Sequence, residues 1–209
     1  MEKLTADQLS KVAIYVEGET DQSFINFVLY KLYGLQLEPN QMKDLIINVN
    51  GKDRLETFLE LDRGRKRKAL ILFDADYEHN GGKALNFKKY KALLEKYEIQ
   101  GEIFLFTERN SDEGELEHTI ISCFKKNFSF FELCWENMLK CFHQNANKIN
   151  LNLPGLKGKV YSYNDLFNPK KSKSKTLNYV DGKLWDFDFE NNWYLSNIKH
   201  FLDRNLMTS

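Results

Sequence analysis

Apolar residues in the first part of the chain fall into short unbroken runs separated by stretches with helical spacing. Lys11–Val16 is apolar and β-branched and predicts a strand. Gly18 then reads as a tight turn. Phe24, Ile25, Val28, Leu29 and Leu32 recur at helical intervals, which predicts a helix through Tyr33 with Thr20 or Asp21 as its N-cap. Leu45–Val49 predicts a second strand, followed by Asn50-Gly51 and a helix near Asp53–Leu61. Lys68–Phe73 is nearly continuous in apolar residues, as expected of a strand buried on both faces. A helix near Leu85–Tyr97, a strand over Glu102–Phe106 and a helix from about Glu115 to Phe124 follow. Such alternation predicts a parallel sheet with right-handed crossovers.

After Phe124 the alternation stops. Ser129–His143 and Trp193–Leu206 read as helices, and Asn150–Lys175 as a polar stretch containing Gly and Pro. The expected fold is therefore α/β: a Rossmann-like parallel sheet of about four strands over residues 1–125, with a mostly helical elaboration over 126–209 packed on it.

Composition narrows the class only a little. The 209 residues carry 30 Lys and Arg against 30 Asp and Glu, so net charge neither demands nor excludes a nucleic-acid partner. Apolar runs of about six residues are far short of the roughly 20 that span a bilayer, and no membrane association is expected. The polar start, Met1-Glu2-Lys3-Leu4-Thr5, does not resemble a signal peptide. Cys123, Cys134 and Cys141 are odd in number and lack metal-ligand spacing; they read as free thiols, buried or half buried, in a cytoplasmic protein.

The candidate chemistry lies where apolar runs end in carboxylates. Glu17 closes the first strand, in Val16-Glu17-Gly18-Glu19-Thr20-Asp21, and Asp74 and Asp76 close the third, in Phe73-Asp74-Ala75-Asp76. Two-residue spacing is expected to send both aspartates off the same side of the chain. Glu117 falls in the first turn of the helix after strand four. Parallel strands would bring all of these to one sheet edge, where α/β proteins bind ligands. Carboxylates gathered there repel one another unless a cation sits among them, which suits Mg²⁺ or Mn²⁺. Asp21 either caps its helix or joins the metal ligands. His79 and His118 lie near the same edge without a pattern of their own, and Glu113 and Glu115 read as solvated.

These segments resemble the Toprim family, the metal-dependent domain shared by topoisomerases, bacterial-type primases and overcoming-lysogenisation-defect nucleases. That family is marked by Glu-Gly after strand one and Asp-x-Asp after strand three, and Glu17-Gly18 and Asp74-Ala75-Asp76 match both. Leu116-Glu117 and the Glu17–Asp21 spacing resemble the nuclease members. Asn48-Val49-Asn50-Gly51-Lys52 and Trp185-Asp186-Phe187 resemble small standalone Toprim-like proteins. The likeness covers residues 10–125 well and the tail loosely.

The resemblance implies a Mg²⁺- or Mn²⁺-dependent phosphodiester enzyme acting on DNA or RNA, a nuclease foremost. Glu17, Asp74 and Asp76 would be its catalytic residues, and Glu17, Asp21, Asp74, Asp76 and Glu117 its metal ligands. An ATPase, if the enzyme needs one, would come from a partner chain. The alternative is a non-catalytic module that uses metal to hold nucleic acid, a nucleotide or a protein. A phosphatase of small phosphoesters is a third reading, because Asp-x-Asp after a strand also opens the haloacid-dehalogenase phosphatases.

Two basic stretches remain. Arg63-Gly64-Arg65-Lys66-Arg67-Lys68 precedes strand three, so it should lie about 20 Å from the acids, at the far end of the sheet. Lys170, Lys171, Lys173 and Lys175 sit in the polar loop, either to contact nucleic-acid phosphate or as a solubilising segment. Trp185, Trp193 and the aromatic residues of the tail are expected in the core and not as base-stacking platforms.

Overall fold

The structure is a computed structural model, and it describes residues 4–145, 152–168, 177, 179–180 and 182–207. Four strands, β1 (Val12–Val16), β2 (Ile46–Asn48), β3 (Lys68–Asp74) and β4 (Gly101–Phe106), form one sheet in the order β2-β1-β3-β4 with every pairing parallel. The helices among the described residues are α1 (Ala6–Ser10), α2 (Glu19–Tyr33), α3 (Pro39–Leu45), α4 (Leu55–Asp62), α5 (Gly82–Lys96), α6 (Leu116–Ile121), α7 (Phe130–Asn145), α8 (Leu156–Phe167) and α9 (Trp193–Leu206). None is long and apolar enough to cross a membrane.

Strand alternation divides the core into two layers. Val12, Ile14, Val16, Leu70 and Leu72 point to one face, where Phe24 and Val28 of α2 and Leu195, Ile198 and Leu202 of α9 cover them. Ala13, Tyr15, Ala69, Ile71 and Phe73 point to the other, under Leu55 and Leu59 of α4 and Tyr90 and Leu94 of α5. All five residues of β1 are buried because it has a strand on each side and a helical layer on each face. Trp185 is buried as expected.

The chain leaves β1 through α2 toward β2, then returns through α4 to the other flank of β1 and continues outward to β4. Direction therefore reverses between β1 and β3. Their carboxyl ends frame the crevice that doubly wound sheets use for ligands.

Several expectations are corrected. The polar stretch 150–175 contains α8, whose first turn carries Gly158. A Cβ there would stand 2.9 Å from Pro154 Cβ, so the glycine reflects close packing, not a loop. Helix α2 starts at Glu19 with Gly18 as N-cap, neither Thr20 nor Asp21. Gly18 itself is extended (φ −146°), a conformation open to any residue, so the tight turn is not there. Trp193 is exposed, and of the three thiols only Cys123 is buried.

The basic run does lie at the amino end of β3, away from the acids. Arg67 is buried there. Its Nη2 donates to Asp62 Oδ1 at 2.8 Å, its Nε to Asp62 Oδ2 at 3.2 Å and its Nη1 to the Asp44 carbonyl at 2.8 Å. Tyr15 donates its hydroxyl to the same Asp62 at 2.8 Å.

Candidate functional site

The reversal between β1 and β3 brings Glu17 and Asp74 together at adjacent strand ends. The Asp74 N–H donates to Glu17 Oε1 at 3.1 Å. Asp74 Oδ1 in turn accepts from the Leu116 N–H at 2.7 Å, at the start of α6. That contact places Glu117, only 7 % exposed, beside the strand ends. Asp21 falls in the first turn of α2, with its Oδ2 close to Gly18: a Cβ built on that glycine would sit 3.4 Å from it.

Asp76 departs from the period-two expectation. The strand ends at Asp74, and Asp76 adopts a left-handed conformation (φ 60°), which Asp tolerates better than most residues. Its carboxylate turns toward the α4–α5 layer. There Asn86 Nδ2 donates to Asp76 Oδ2 at 2.8 Å and to the Ala75 carbonyl at 3.0 Å, and Lys52 forms an ion pair with the same Oδ2. Asp74 faces the opposite layer through Leu116. The acids thus form two groups joined at the Glu17–Asp74 contact: Glu17 and Asp76 with Lys52 and Asn86, and Asp21, Asp74 and Glu117 beneath α6.

Electrostatics mark the same grouping. Burial, with Asp21 and Asp76 as like-charged neighbours, pushes the Glu17 carboxyl up to about 7 against the pull of the Asp74 N–H. Burial and Glu117 push Asp21 up to about 6, and Lys157 of α8 partly opposes this. Burial, then Glu17, Asp21 and Glu117, raise Asp74 well above the usual carboxylate range. Burial and Glu115 raise Glu117, with Lys157 and His118 opposing. Two buried hydroxyls, Tyr90 and Tyr179, have no hydrogen-bond partner among the described residues. Tyr90 feels the field of Glu17 and Asp76, Tyr179 that of Glu117 and Asp21.

A stability prediction follows in EDTA. Glu17 and Asp21 hold protons in the folded chain across windows from 4.5 to about 7 and from 3.8 to about 6, in which the unfolded chain has released them. Stability must therefore fall as pH rises through these windows. The melting temperature in EDTA is expected to drop between pH 5 and pH 7.5, relative to a Glu17→Gln/Asp21→Asn variant; parallel profiles for the two proteins would contradict it.

The loop after β4 is fastened to this corner. Asp76 and Gly114 exchange backbone hydrogen bonds, Asp76 N–H to the Gly114 carbonyl at 3.0 Å and Gly114 N–H to the Asp76 carbonyl at 3.3 Å. Gly114 has φ 151°, and a Cβ there would stand 2.3 Å from the Glu108 nitrogen. Gly114→Ala is expected to cost about 2–4 kcal/mol, read as a shift in the urea midpoint; a change under about 0.5 kcal/mol would show the fastening to be dispensable.

Of the other sequence candidates, Glu113 accepts from the Glu78 N–H at 2.6 Å, so it organises the loop. Glu115 caps α6 together with His118, and His79 stacks on Tyr77. Lys170, Lys171, Lys173 and Lys175 lie outside the described residues. Sequence reasoning passed over Asn86, Tyr90, Lys157 and Tyr179, and gave Lys52 no role beyond its turn motif. Only the Asn50-Gly51 turn, with both residues at positive φ (55° and 104°), hinted at Lys52, which it delivers to Asp76.

Residues 9–76, from the approach to β1 through Asp76, match the family described as overcoming lysogenization defect protein-like, TOPRIM domain. The chain carries a Toprim-like domain. The matched segment of this Toprim-like domain includes Glu17, Asp21, Asp74 and Asp76, and leaves Glu117 outside it. No curated protein and no solved structure gives a significant match. A Toprim domain points to metal-dependent work connected with nucleic acid, since such domains generally bind divalent metal ions.

The donor set fits such an ion in chemistry: hard carboxylate oxygens whose mutual repulsion a dication would relieve, and the orphan Tyr90 hydroxyl beside them. Among the described residues no three His, Cys, Asp or Glu side chains already surround a single point. Mg²⁺ does not require that, because it keeps several waters and takes one or two carboxylates directly.

Proposed function

We propose that the Toprim-like domain is a Mg²⁺- or Mn²⁺-dependent nuclease, with its active site at the crevice between the carboxyl ends of β1 and β3. The observation that carries this reading is the contact between Glu17 and Asp74 at the sheet's reversal point, with Asp21 and Asp76 close enough to raise the Glu17 carboxyl and Asp21 and Glu117 close enough to raise Asp74.

Asp74 and Asp76 would hold the principal ion, and Glu117 with Asp21 a second. Bound divalent metal lowers the pKa of water and stabilises charge on a phosphoryl oxygen. Glu17 would either bind metal or act as general base toward the attacking water. Asn86 holds the Asp76 carboxylate in place, and the Leu116 N–H does the same for Asp74. Lys157 brings positive charge to the Asp21–Glu117 side, where it supports a phosphate. The lysines at 170, 171, 173 and 175 are proposed as further contacts to the nucleic-acid backbone. The segment after residue 125 is proposed as a helical elaboration of the same core, supported by α9 packing on the β1–β3 face.

A second reading is a metal-dependent binding module without turnover. It draws on the Lys52–Asp76 ion pair, which already neutralises one acid of the crevice. A cleavage time course on supercoiled plasmid, single-stranded DNA and RNA, in Mn²⁺, Mg²⁺ or EDTA, separates the two. Metal-dependent product supports the nuclease; association without product on all three substrates favours the module.

A further inference from the structure

Lys52 is in direct contact with an acid of the crevice. Its Nζ pairs with Asp76 Oδ2, the same oxygen that accepts from Asn86 Nδ2. The backbone determines where that ammonium can be. After β2 the Val49 N–H bonds to the Val16 carbonyl at 3.0 Å and the Gly51 N–H to the Glu17 carbonyl at 2.9 Å, so the turn is fastened to the end of β1. The Asn50 N–H bonds to Asn48 Oδ1 at 2.8 Å, and the Arg54 N–H returns to the Gly51 carbonyl at 3.0 Å. Lys52 follows Gly51 directly, so its backbone is held beside Glu17 while its four-carbon stem stays free to turn. The acceptor is fixed as well, by Asn86 and by the backbone exchange of Asp76 with Gly114. The Lys52 side chain is 26 % exposed, so water reaches the pair. By contrast, the pairs Lys83–Asp112, Lys89–Asp53 and Lys96–Glu56 lie on the open surface.

We propose that Lys52 is the resident cation of the crevice: it gives up Asp76 Oδ2 to a divalent ion and turns its ammonium to a non-bridging oxygen of the substrate phosphate. Both roles rest on the reading of this crevice as a metal-dependent nuclease site. Lys52 and an ion at Asp76 compete for one carboxylate, and Asn86 already takes part of the same oxygen. A single positive charge compensates these acids only in part. Burial and the like charges of Asp21 and Asp76 still raise Glu17 against the opposing pull of Lys52. Twice the charge at the same carboxylate compensates them better and repels the ammonium. Lys52 cannot leave, because its backbone is fastened through Gly51 to Glu17. A phosphate brought to the ion carries negative charge to the same place, where a strongly hydrated point charge on a flexible stem can follow it. Until then the pair with Lys52 keeps Asp76 from standing as an uncompensated carboxylate.

Two readouts test the displacement without turnover. By electron paramagnetic resonance of free Mn²⁺, Lys52→Met is expected to bind Mn²⁺ about tenfold more tightly than the parent, because the competing charge is gone. Lys96→Met, an exposed lysine about 15 Å further along α5 than Asn86, should stay within about twofold. Reductive methylation of the full chain, read by peptide mass spectrometry, follows the ammonium itself: Lys52 should be protected in EDTA and reactive in Mg²⁺. This arm uses the parent chain and needs no variant to fold. Equal affinity in Lys52→Met and parent, or protection unchanged by Mg²⁺, would overturn the displacement while leaving the metal site standing. Mn²⁺ bound by neither protein would overturn both. Cleavage reads the phosphate contact. In Lys52→Met the Mg²⁺ concentration for half-maximal cleavage should fall while turnover at saturating Mg²⁺ drops about 10²-fold, opposite changes that a merely structural lysine would not produce. Turnover equal to the parent's would overturn the phosphate contact alone. A parent that cleaves nothing would overturn the nuclease reading and that contact together, and the binding and methylation results would still decide the displacement.

Discussion

Asp74→Ala/Asp76→Ala is expected to lose about 10³-fold or more of metal-dependent cleavage while remaining folded. The size follows from the several kcal/mol of charge stabilisation that a bound ion provides in phosphoryl chemistry. Retention of the fold follows from what each carboxylate does in the metal-free chain. Asp74 is buried among Glu17, Asp21 and Glu117, so removing it relieves repulsion and offsets the loss of its bond from the Leu116 N–H. Among the described residues the side-chain partners of Asp76 are Lys52 and Asn86, and Lys52 retains access to water. Circular dichroism and melting in EDTA provide the control. Cleavage within about tenfold of the parent would remove these residues from the chemistry.

The largest effect on stability is expected far from the crevice. Asp62→Ala should cost about 3–5 kcal/mol, because it leaves the buried Arg67 guanidinium without its carboxylate and the Tyr15 hydroxyl without its acceptor. The Asp44 carboxylate cannot take over: it is largely exposed and lies 3.4 Å from Arg67 Nη1. Glu60→Ala, an exposed neighbour on the same helix, should stay within about 0.5 kcal/mol. Urea denaturation of both variants checks this, and equal midpoints would show the Arg67 network to be energetically idle. The basic run thus serves the fold at the amino end of β3. It lies at the wrong end of a parallel sheet to meet a phosphate at the acids.

The legible parts of this fold are those where local pattern and burial agree. β1 and β3 are flanked on both sides, so their unbroken apolar runs announce them, and α9 follows its expected bounds because one face carries Leu195, Ile198, Leu202 and Leu206 into the core. Helix α8 was illegible because it buries only Val160 and Tyr163 and contains a glycine that pattern reasoning assigns to loops. The acids were found from the abrupt ends of apolar runs. Their mutual arrangement was not, since a period-two rule stops with the strand at Asp74 and the left-handed Asp76 turns to the other layer. Asn86, Tyr90 and Tyr179 reach the crevice from helices and loops distant in sequence, and nothing local to those residues signals a neighbour across the sheet.

The central claim is that the carboxylates between β1 and β3 hold a divalent ion, and Mn²⁺ binding to the full chain, followed by electron paramagnetic resonance of free Mn²⁺, tests it most directly. Saturable binding at pH 7.5, competed by Mg²⁺ and lost in Glu17→Gln/Asp74→Asn, is the predicted result. Binding that is absent in the folded wild type, or unchanged in that variant, would contradict it.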